Sequence, residues 1–355
     1  MKEIHSKIPK ESFDVSKVAW TDVREEYFEG KNCKRFVMYL MSNGCEWALK
    51  NGNGCTMCGH IAKQTRDDHI ISFENYILQF QSEFRKVDFN RYPILNLYNN
   101  GSFLNDNELP AEARRGILHI ISENPAIKML VIETRPEFVT EEKIIEIKKI
   151  LPDKRVEIAI GLEVFEDEYR YMCLNKGFSR EQFEKAAGII IKHLYLRNYI
   201  MLKPPFLTEK ESIDEAIKSI EYAFAIGVST ISLETCTIQE YTLVNYLHLH
   251  NHYSAAWLWS IIEVVMKTAH LGNLIVGMFQ FYPSAEKVPF NCKKCSDKVL
   301  ENIVEYNRTL DIKSFEYVSC ECKEKWKDIL NKEEWNIEEK VLSSLAAKEG
   351  VDNVN

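Results

Sequence analysis

Residues 35–60 read RFVMYLMSNGCEWALKNGNGCTMCGH. The first seven are a near-continuous apolar run with strand character, and they lead into a glycine-rich loop that holds Cys45, Cys55 and Cys58. A strand that is apolar on both faces is covered on both sides, which is the environment of a parallel sheet. Runs of the same kind recur at 94–98 (ILNLY), 128–133 (KMLVIE), 156–160 (VEIAI), 197–203 (RNYIMLK), 229–233 (STISL) and 274–280 (LIVGMFQ). Helical windows fill the intervals. The window 73–86 puts Tyr76, Ile77, Phe80 and Phe84 on one face, and 110–124 opens with Pro110 in its first turn. Thr140 followed by acids opens 140–151; 179–194, 208–227 and 255–272 follow, with Gly227 as a helix stop. This β–α alternation predicts an α/β fold with a parallel sheet. No GxGxxG follows the first strand, which disfavours a dinucleotide-binding fold. The expected architecture is a partial or full parallel (β/α) barrel of six to seven strands, with an open doubly wound sheet as the alternative. Residues 1–34 form an N-terminal segment, 35–285 the barrel and 286–355 a small cysteine-rich C-terminal extension.

The chain has 355 residues and a formal net charge of −8, without a dense Lys/Arg run. Such a balance argues against a protein that grips nucleic acid alone and leaves RNA contact to a local patch or a partner. The N-terminus has no secretory pattern, and the most apolar window, AAWLWSIIEVVM, has 12 residues and contains Glu263, too short to span a bilayer. The expectation is a soluble cytoplasmic protein with no membrane partner. In such a chain, clustered cysteines indicate metal binding over disulfides. Of the 10 cysteines, Cys33, Cys173 and Cys236 stand apart and read as small buried apolar residues.

Barrel enzymes carry their chemistry on the loops after the strands' C-terminal ends. Here those loops are the cysteine loop, NNGSFLND (99–106), ETRPE (133–137), GLEVFEDE (161–168), KPPFLTE (203–209) and ETCTIQE (234–240). Nine residues separate Cys45 from Cys55, and two separate Cys55 from Cys58. Three chemistries fit: a Cys₃His zinc site completed by His60, a redox CxxC pair, or an iron–sulfur cluster with three protein ligands and one open iron. A second group, Cys292, Cys295, Cys320 and Cys322, has two pairs separated by 24 residues and suits either zinc or a second iron–sulfur cluster. The segment from Lys323 onward reads as helices packed by Trp326 and Trp335, and the last five residues as loose.

On these motifs, residues 35–280 or so resemble the radical S-adenosylmethionine (SAM) enzymes. The common spacing of that superfamily has three and two intervening residues; the nine and two found here match some branches, and Met57 stands where many members carry an aromatic. GCxWxxxxGxGCTMCG, NNGSFLND, GLE, TLVNYL (242–247) and WLWSIIEV (257–264) are together similar to the radical SAM subunits of archaeosine synthases, a branch related to the tRNA-modifying Elp3 and methylthiotransferase enzymes. The resemblance implies a [4Fe–4S] cluster on Cys45, Cys55 and Cys58, with SAM on its open iron. It further implies that Asn99, Asn100, Gly101 and Ser102 receive the methionyl amino group, although NNGS lacks the usual acid. Glu163 would meet the ribose or the methionyl carboxylate, Lys203 in LKPP (202–205) would lie by the adenine, and Glu133 with Arg135 would complete the cofactor-binding group, the arginine by pairing with a carboxylate. The implied reaction begins with a 5′-deoxyadenosyl radical. It is of lyase or transferase type, on a tRNA 7-deazaguanine bearing a lysine adduct, whose C–N bond is cleaved. A ferredoxin or flavodoxin would supply the electron, and a partner subunit would hold the tRNA. Two alternatives stand beside it: a radical SAM enzyme on a small molecule or peptide, and a zinc-stabilised adaptor without turnover.

Overall fold

A computed structural model of the chain describes residues 1–50, 54–66, 71–279, 282–331 and 337–346. Trp335 and the terminal VDNVN lie outside the described residues. One eight-stranded sheet organises the fold: β1 (Trp20–Phe28), β2 (Lys31–Tyr39), β3 (Ile94–Tyr98), β4 (Met129–Glu133), β5 (Arg155–Glu163), β6 (Tyr195–Leu202), β7 (Thr230–Thr235) and β8 (Leu274–Val276). The strands pair in sequence order, and β2 to β8 are mutually parallel. The sheet is a half-barrel: among the described residues β8 does not pair with β1. The parallel barrel expected from the alternation is therefore present in its partial form.

The predicted helices sit in the crossovers, the main ones being Phe73–Phe84, Ala111–Ser122, Glu141–Ile150, Arg180–Ile191, Glu209–Ala225 and Leu258–Thr268. Their starts are set locally. Ser179 with Gln182 and Thr208 with Glu211 form capping boxes, and the Ser72 and Thr140 side chains accept from backbone N–H groups in the first turn. All five residues of β3 are buried, as a strand covered on both faces requires. No helix among the described residues is long and apolar enough to cross a membrane.

The antiparallel β1 falls within the N-terminal segment and has no counterpart in the sequence reading. It joins β2 through Glu29 and Gly30, both with positive φ, the geometry of a two-residue hairpin turn. Its sequence, WTDVREEYF, carries charges where a buried strand would show apolar residues. One of those charges serves the barrel floor. Glu26, 1% exposed, pairs with Arg35 and with Arg197 Nη2 at 3.0 Å. Arg197 Nε reaches Glu157 Oε2 at 2.7 Å, and Arg155 and the Thr230 hydroxyl satisfy the other Glu157 oxygen. Burial alone would raise the Glu157 carboxyl, but Arg197 and Arg155 overcome it and hold it below the ordinary range. These ion pairs lie near the N-terminal ends of the parallel strands, so the lumen opens toward the other end.

A helix from the C-terminal extension, Ser296–Thr309, lies across the open seam. Asn307 accepts from Val276 N–H at 2.9 Å and donates to Val276 C=O at 2.7 Å; Tyr306 OH donates to Leu274 C=O at 2.8 Å. The outer edge of β8 is thus satisfied by side chains instead of by a ninth strand, which answers the usual liability of an unpaired edge. On the other side of the seam, Arg308 pairs with Glu25 of β1 at 3.2 Å.

Candidate active site in the half-barrel lumen

Cys45, Cys55 and Cys58 all line one cavity of about 280 Å³ at the C-terminal end of the strands. All three are free and half-buried. Gly44, at φ +111, turns the chain sharply at the end of the first parallel strand so that Cys45 heads the short helical turn Glu46–Leu49. Neighbouring rim loops clamp the rest of the cysteine loop. Thr56 N–H donates to Leu174 C=O at 3.1 Å and its hydroxyl to Cys173 C=O at 2.6 Å. Gly59 N–H donates to Gln239 Oε1 at 3.1 Å. Trp47 Nε1 donates to Asn175 C=O, and Asn175 Nδ2 donates to Gly54 C=O, each at 2.8 Å. The loops after β5 and β7 therefore hold the cysteine loop in place without using a thiol.

The thiols of Cys45 and Cys58 are neutral in this setting. Burial, aided by Glu108 at Cys45 and by Cys55 at Cys58, pushes the Cys45 and Cys58 thiols up to about 12. A cationic centre bound there would release those protons, as metal binding to thiols requires. Among the described residues, the group whose ligand atoms all lie within 4.8 Å of one another is Cys292, Cys295, Cys320 and Cys322; the rim cysteines and His60 do not form one. His60 lines the same cavity, stacked on Tyr39 with ring centroids 6.1 Å apart, and burial lowers its basicity.

The NNGS turn follows β3. Asn100 and Gly101 face the cavity, while Asn99 and Ser102 are fully buried behind them. Asn100 holds a left-handed φ of +53, and its Oδ1 has no hydrogen-bond partner. Both polar atoms of the Asn99 side chain are likewise unpaired. The acid that the NNGS motif lacks in sequence is present in space. Glu108 accepts from Ser102 N–H, from Glu46 N–H at 2.8 Å and from Asn105 Nδ2 at 3.0 Å, so it ties this turn to the cysteine loop. Gly101 is required here, since a Cβ at that position would collide with Glu108 Oε2. Burial raises the Glu108 carboxyl to about 7.

Arg135, Glu133 and Glu163 face the same cavity. The Arg135 guanidinium lies over Trp47 and Phe178, pairs with Glu137 at 2.6 Å, and leaves a buried Nη2 without a partner. Glu163, at φ +68, pairs with Lys176 Nζ at 2.9 Å. The Glu133 carboxylate makes no side-chain hydrogen bond or ion pair among the described residues, and burial lifts it to about 8. The sign of the resulting pH dependence follows. A carboxyl raised by folding favours the neutral form, so its ionisation destabilises the ligand-free fold progressively from the ordinary carboxyl range up to about pH 8. Glu133→Gln is expected to remove that slope. Urea melts should show the variant gaining on the order of 3 kcal/mol relative to the parent between pH 5 and pH 8.

The structure places Lys203 apart from this group. Its Nζ donates to Leu207 C=O at 2.7 Å, and it lines a second cavity with Phe206, His252 and Tyr253. Its strand ends before the side chain can turn inward, and Glu209, 3.6 Å away, draws the ammonium outward.

No family model matches the chain. It is 34% identical over 322 residues to the archaeosine synthase subunit beta of Methanosarcina acetivorans, covering 89% of this chain and 90% of that protein. The chain belongs to the archaeosine synthase beta-subunit family. The subunit beta of Thermococcus kodakarensis is 30% identical over 316 residues, covering 88% of this chain and 95% of that one. Among solved structures, Methanocaldococcus infernus Elp3 aligns at 17% identity with a TM-score of 0.49, over 65% of this chain and 58% of that chain.

In this archaeosine synthase beta-subunit relative, the lumen also holds residues that sequence reasoning missed. Lys176, Glu234, Gln239 and the tyrosines 39, 98 and 199 line the cavity. Tyr98 and Tyr199 hydroxyls lie 3.3 Å apart, and Asn96 Nδ2 donates to Tyr98. Period-2 alternation in β6 and β7 could have flagged Tyr199 and Glu234 as facing the same way as Arg197 and Ser232. Lys176 sits in a loop and carries no such signal.

Proposed function

We propose that the chain is the radical SAM subunit of an archaeosine-forming enzyme, acting as a lyase on a tRNA 7-deazaguanine that carries a lysine adduct. The observation that carries this reading is the convergence of three free cysteines on one lumen with unpaired polar groups from the next two rim loops. A [4Fe–4S] cluster bound by Cys45, Cys55 and Cys58, with SAM, supplies one-electron cleavage chemistry that no side chain can provide.

This chain's own residues bind, orient and shield. The unpaired Arg135 Nη2 suits a carboxylate such as that of the methionyl group, and Glu133, Glu163 and the Asn100 amide oxygen suit amino and hydroxyl donors. Glu133, poised near neutrality, can hold a proton or a cationic amine within the lumen. The ion-paired floor of Glu26, Arg35, Arg197 and Glu157 closes the far end to water. The net charge of −8 suits a subunit whose partner holds the tRNA, in keeping with relatives named as subunits. A ferredoxin- or flavodoxin-type donor fits the electron requirement.

The test is product analysis. Reconstituted, reduced protein is given SAM and a tRNA bearing the lysine-adduct base, with and without its partner subunit. Mass spectrometry of the digested tRNA should show the amidine base. SAM cleavage with an unchanged tRNA in both arms would overturn the substrate assignment and leave the radical SAM chemistry standing.

A further inference from the structure

We infer that Cys292, Cys295, Cys320 and Cys322 bind one tetrahedral zinc ion, and that this ion pins the helix Ser296–Thr309 across the open seam of the half-barrel. The argument starts from distance. Cys292 Sγ lies 3.5 Å from Cys295 Sγ and 3.6 Å from Cys320 Sγ; Cys295 Sγ lies 3.6 Å from Cys322 Sγ. All four sulfurs fall within 4.8 Å of one another. These separations are far beyond a disulfide bond, and all four cysteines are free. They match the edge of a tetrahedron of Zn–S bonds, about 3.8 Å for bonds of about 2.3 Å. Cysteines that each hold a different iron of a cubane must stand wider apart, because the cluster itself lies between them.

The surroundings suit a closed structural centre. Cys295 N–H and Ser296 N–H both turn back to Cys292 C=O, at 3.2 and 3.1 Å, and Lys323 N–H donates to Cys320 C=O at 2.9 Å, so each cysteine pair sits on a tight turn. Trp259 Nε1 donates to Cys322 Sγ at 3.3 Å, an outer hydrogen bond of the kind that fixes a thiolate ligand. Four thiolates on a divalent ion leave a charge of −2, and Lys293, Lys294 and Lys323 flank the cysteines in sequence. None of the four lines the lumen.

The consequence is mechanical. Cys295 caps the N-terminus of the seam helix, and Cys322 opens the helix Cys322–Leu330, whose Trp326 donates to Ser260 Oγ at 2.8 Å on the barrel's helical layer. One ion therefore fastens the seam helix to the helix Leu258–Thr268. From that anchor the seam helix presents Asn307 and Tyr306 to β8 and Arg308 to β1.

The test uses the full chain with Cys45, Cys55 and Cys58 all changed to alanine, so that any remaining metal reports the second site. Elemental analysis should give one zinc per chain without iron or sulfide, and cobalt substitution should give the visible spectrum of a tetrahedral tetrathiolate. Iron with sulfide, a single iron, or metal-free protein of unchanged stability would each overturn the assignment. Since Cys292→Ala can fail to fold, Cys292→His serves as the second variant. It should retain one zinc and shift the cobalt bands, and a wild-type cobalt spectrum in that variant would remove Cys292 from the ligand set. For the seam, hydrogen exchange before and after chelation should show Val276 and β1 amides exchanging at least about tenfold faster while β4 and β5 stay protected. Unchanged protection at Val276 would overturn the mechanical role.

Discussion

Changing Cys45, Cys55 or Cys58 singly to alanine is expected to cut SAM cleavage by at least about 1,000-fold, equivalent to about 4 kcal/mol of transition-state stabilisation. Iron content should fall in parallel, while the melting temperature shifts by no more than a few degrees. The separation of the two effects comes from how the loop is held. Its anchors are Thr56 to Leu174 and Cys173, Gly59 to Gln239, and the Trp47–Asn175–Gly54 chain, and none of these bonds uses a cysteine sulfur. Removing a thiol therefore removes a ligand without removing a strut. The thiols at 45 and 58 are also half-buried and protonated when nothing is bound, so alanine at either position costs little packing and relieves no charge. Methionine and 5′-deoxyadenosine yields, with iron analysis and circular dichroism on the same preparations, check all three statements.

Arg197→Met should have the largest effect on stability, about 3–5 kcal/mol in denaturant melts, because it leaves two buried carboxylates short of a cation. Glu26 and Glu157 are each 1% exposed, and Arg197 bridges them at 3.0 and 2.7 Å. Methionine fills much of the same volume, so the loss reports charge and hydrogen bonding more than a cavity. The linkage has a definite sign. Glu157 is held below its ordinary range, so its contribution is present above the unfolded carboxyl value and is lost as pH falls through the folded one. The penalty of the variant should accordingly shrink in acid. Arg115→Ala is the control: Arg115 is 42% exposed in its ion pairs, and its loss should change stability by less than about 0.5 kcal/mol.

The parallel strands were legible because each is a nearly unbroken apolar run ending on a polar rim; β3 matches its predicted span at both ends. The rim also located Cys45, Cys55, Cys58, Gly101, Glu133, Arg135 and Glu163 around one lumen. What the pattern hid was polar and buried. β1 spends Arg24 and Glu26 on the barrel interior, so its alternation looks like a charged surface segment. Glu108 reaches the NNGS turn from six positions beyond Ser102, and Lys176 reaches Glu163 from the far side of a helix. Such partners are set by tertiary approach and have no period to read. Lys203 shows the converse. Its place after a strand is right for the rim, but a positive φ of 63 and the nearby Glu209 carry its side chain to the other cavity.

The central claim is that three cysteines leave one iron of a cluster open to SAM. Electron paramagnetic resonance of the reduced, reconstituted protein tests it most directly, recorded with and without SAM. The account predicts a [4Fe–4S]⁺ signal whose g-values shift when SAM is added, and the loss of that signal in the Cys58→Ala variant. A cluster signal that SAM leaves unchanged, or one that survives in Cys58→Ala, would contradict it.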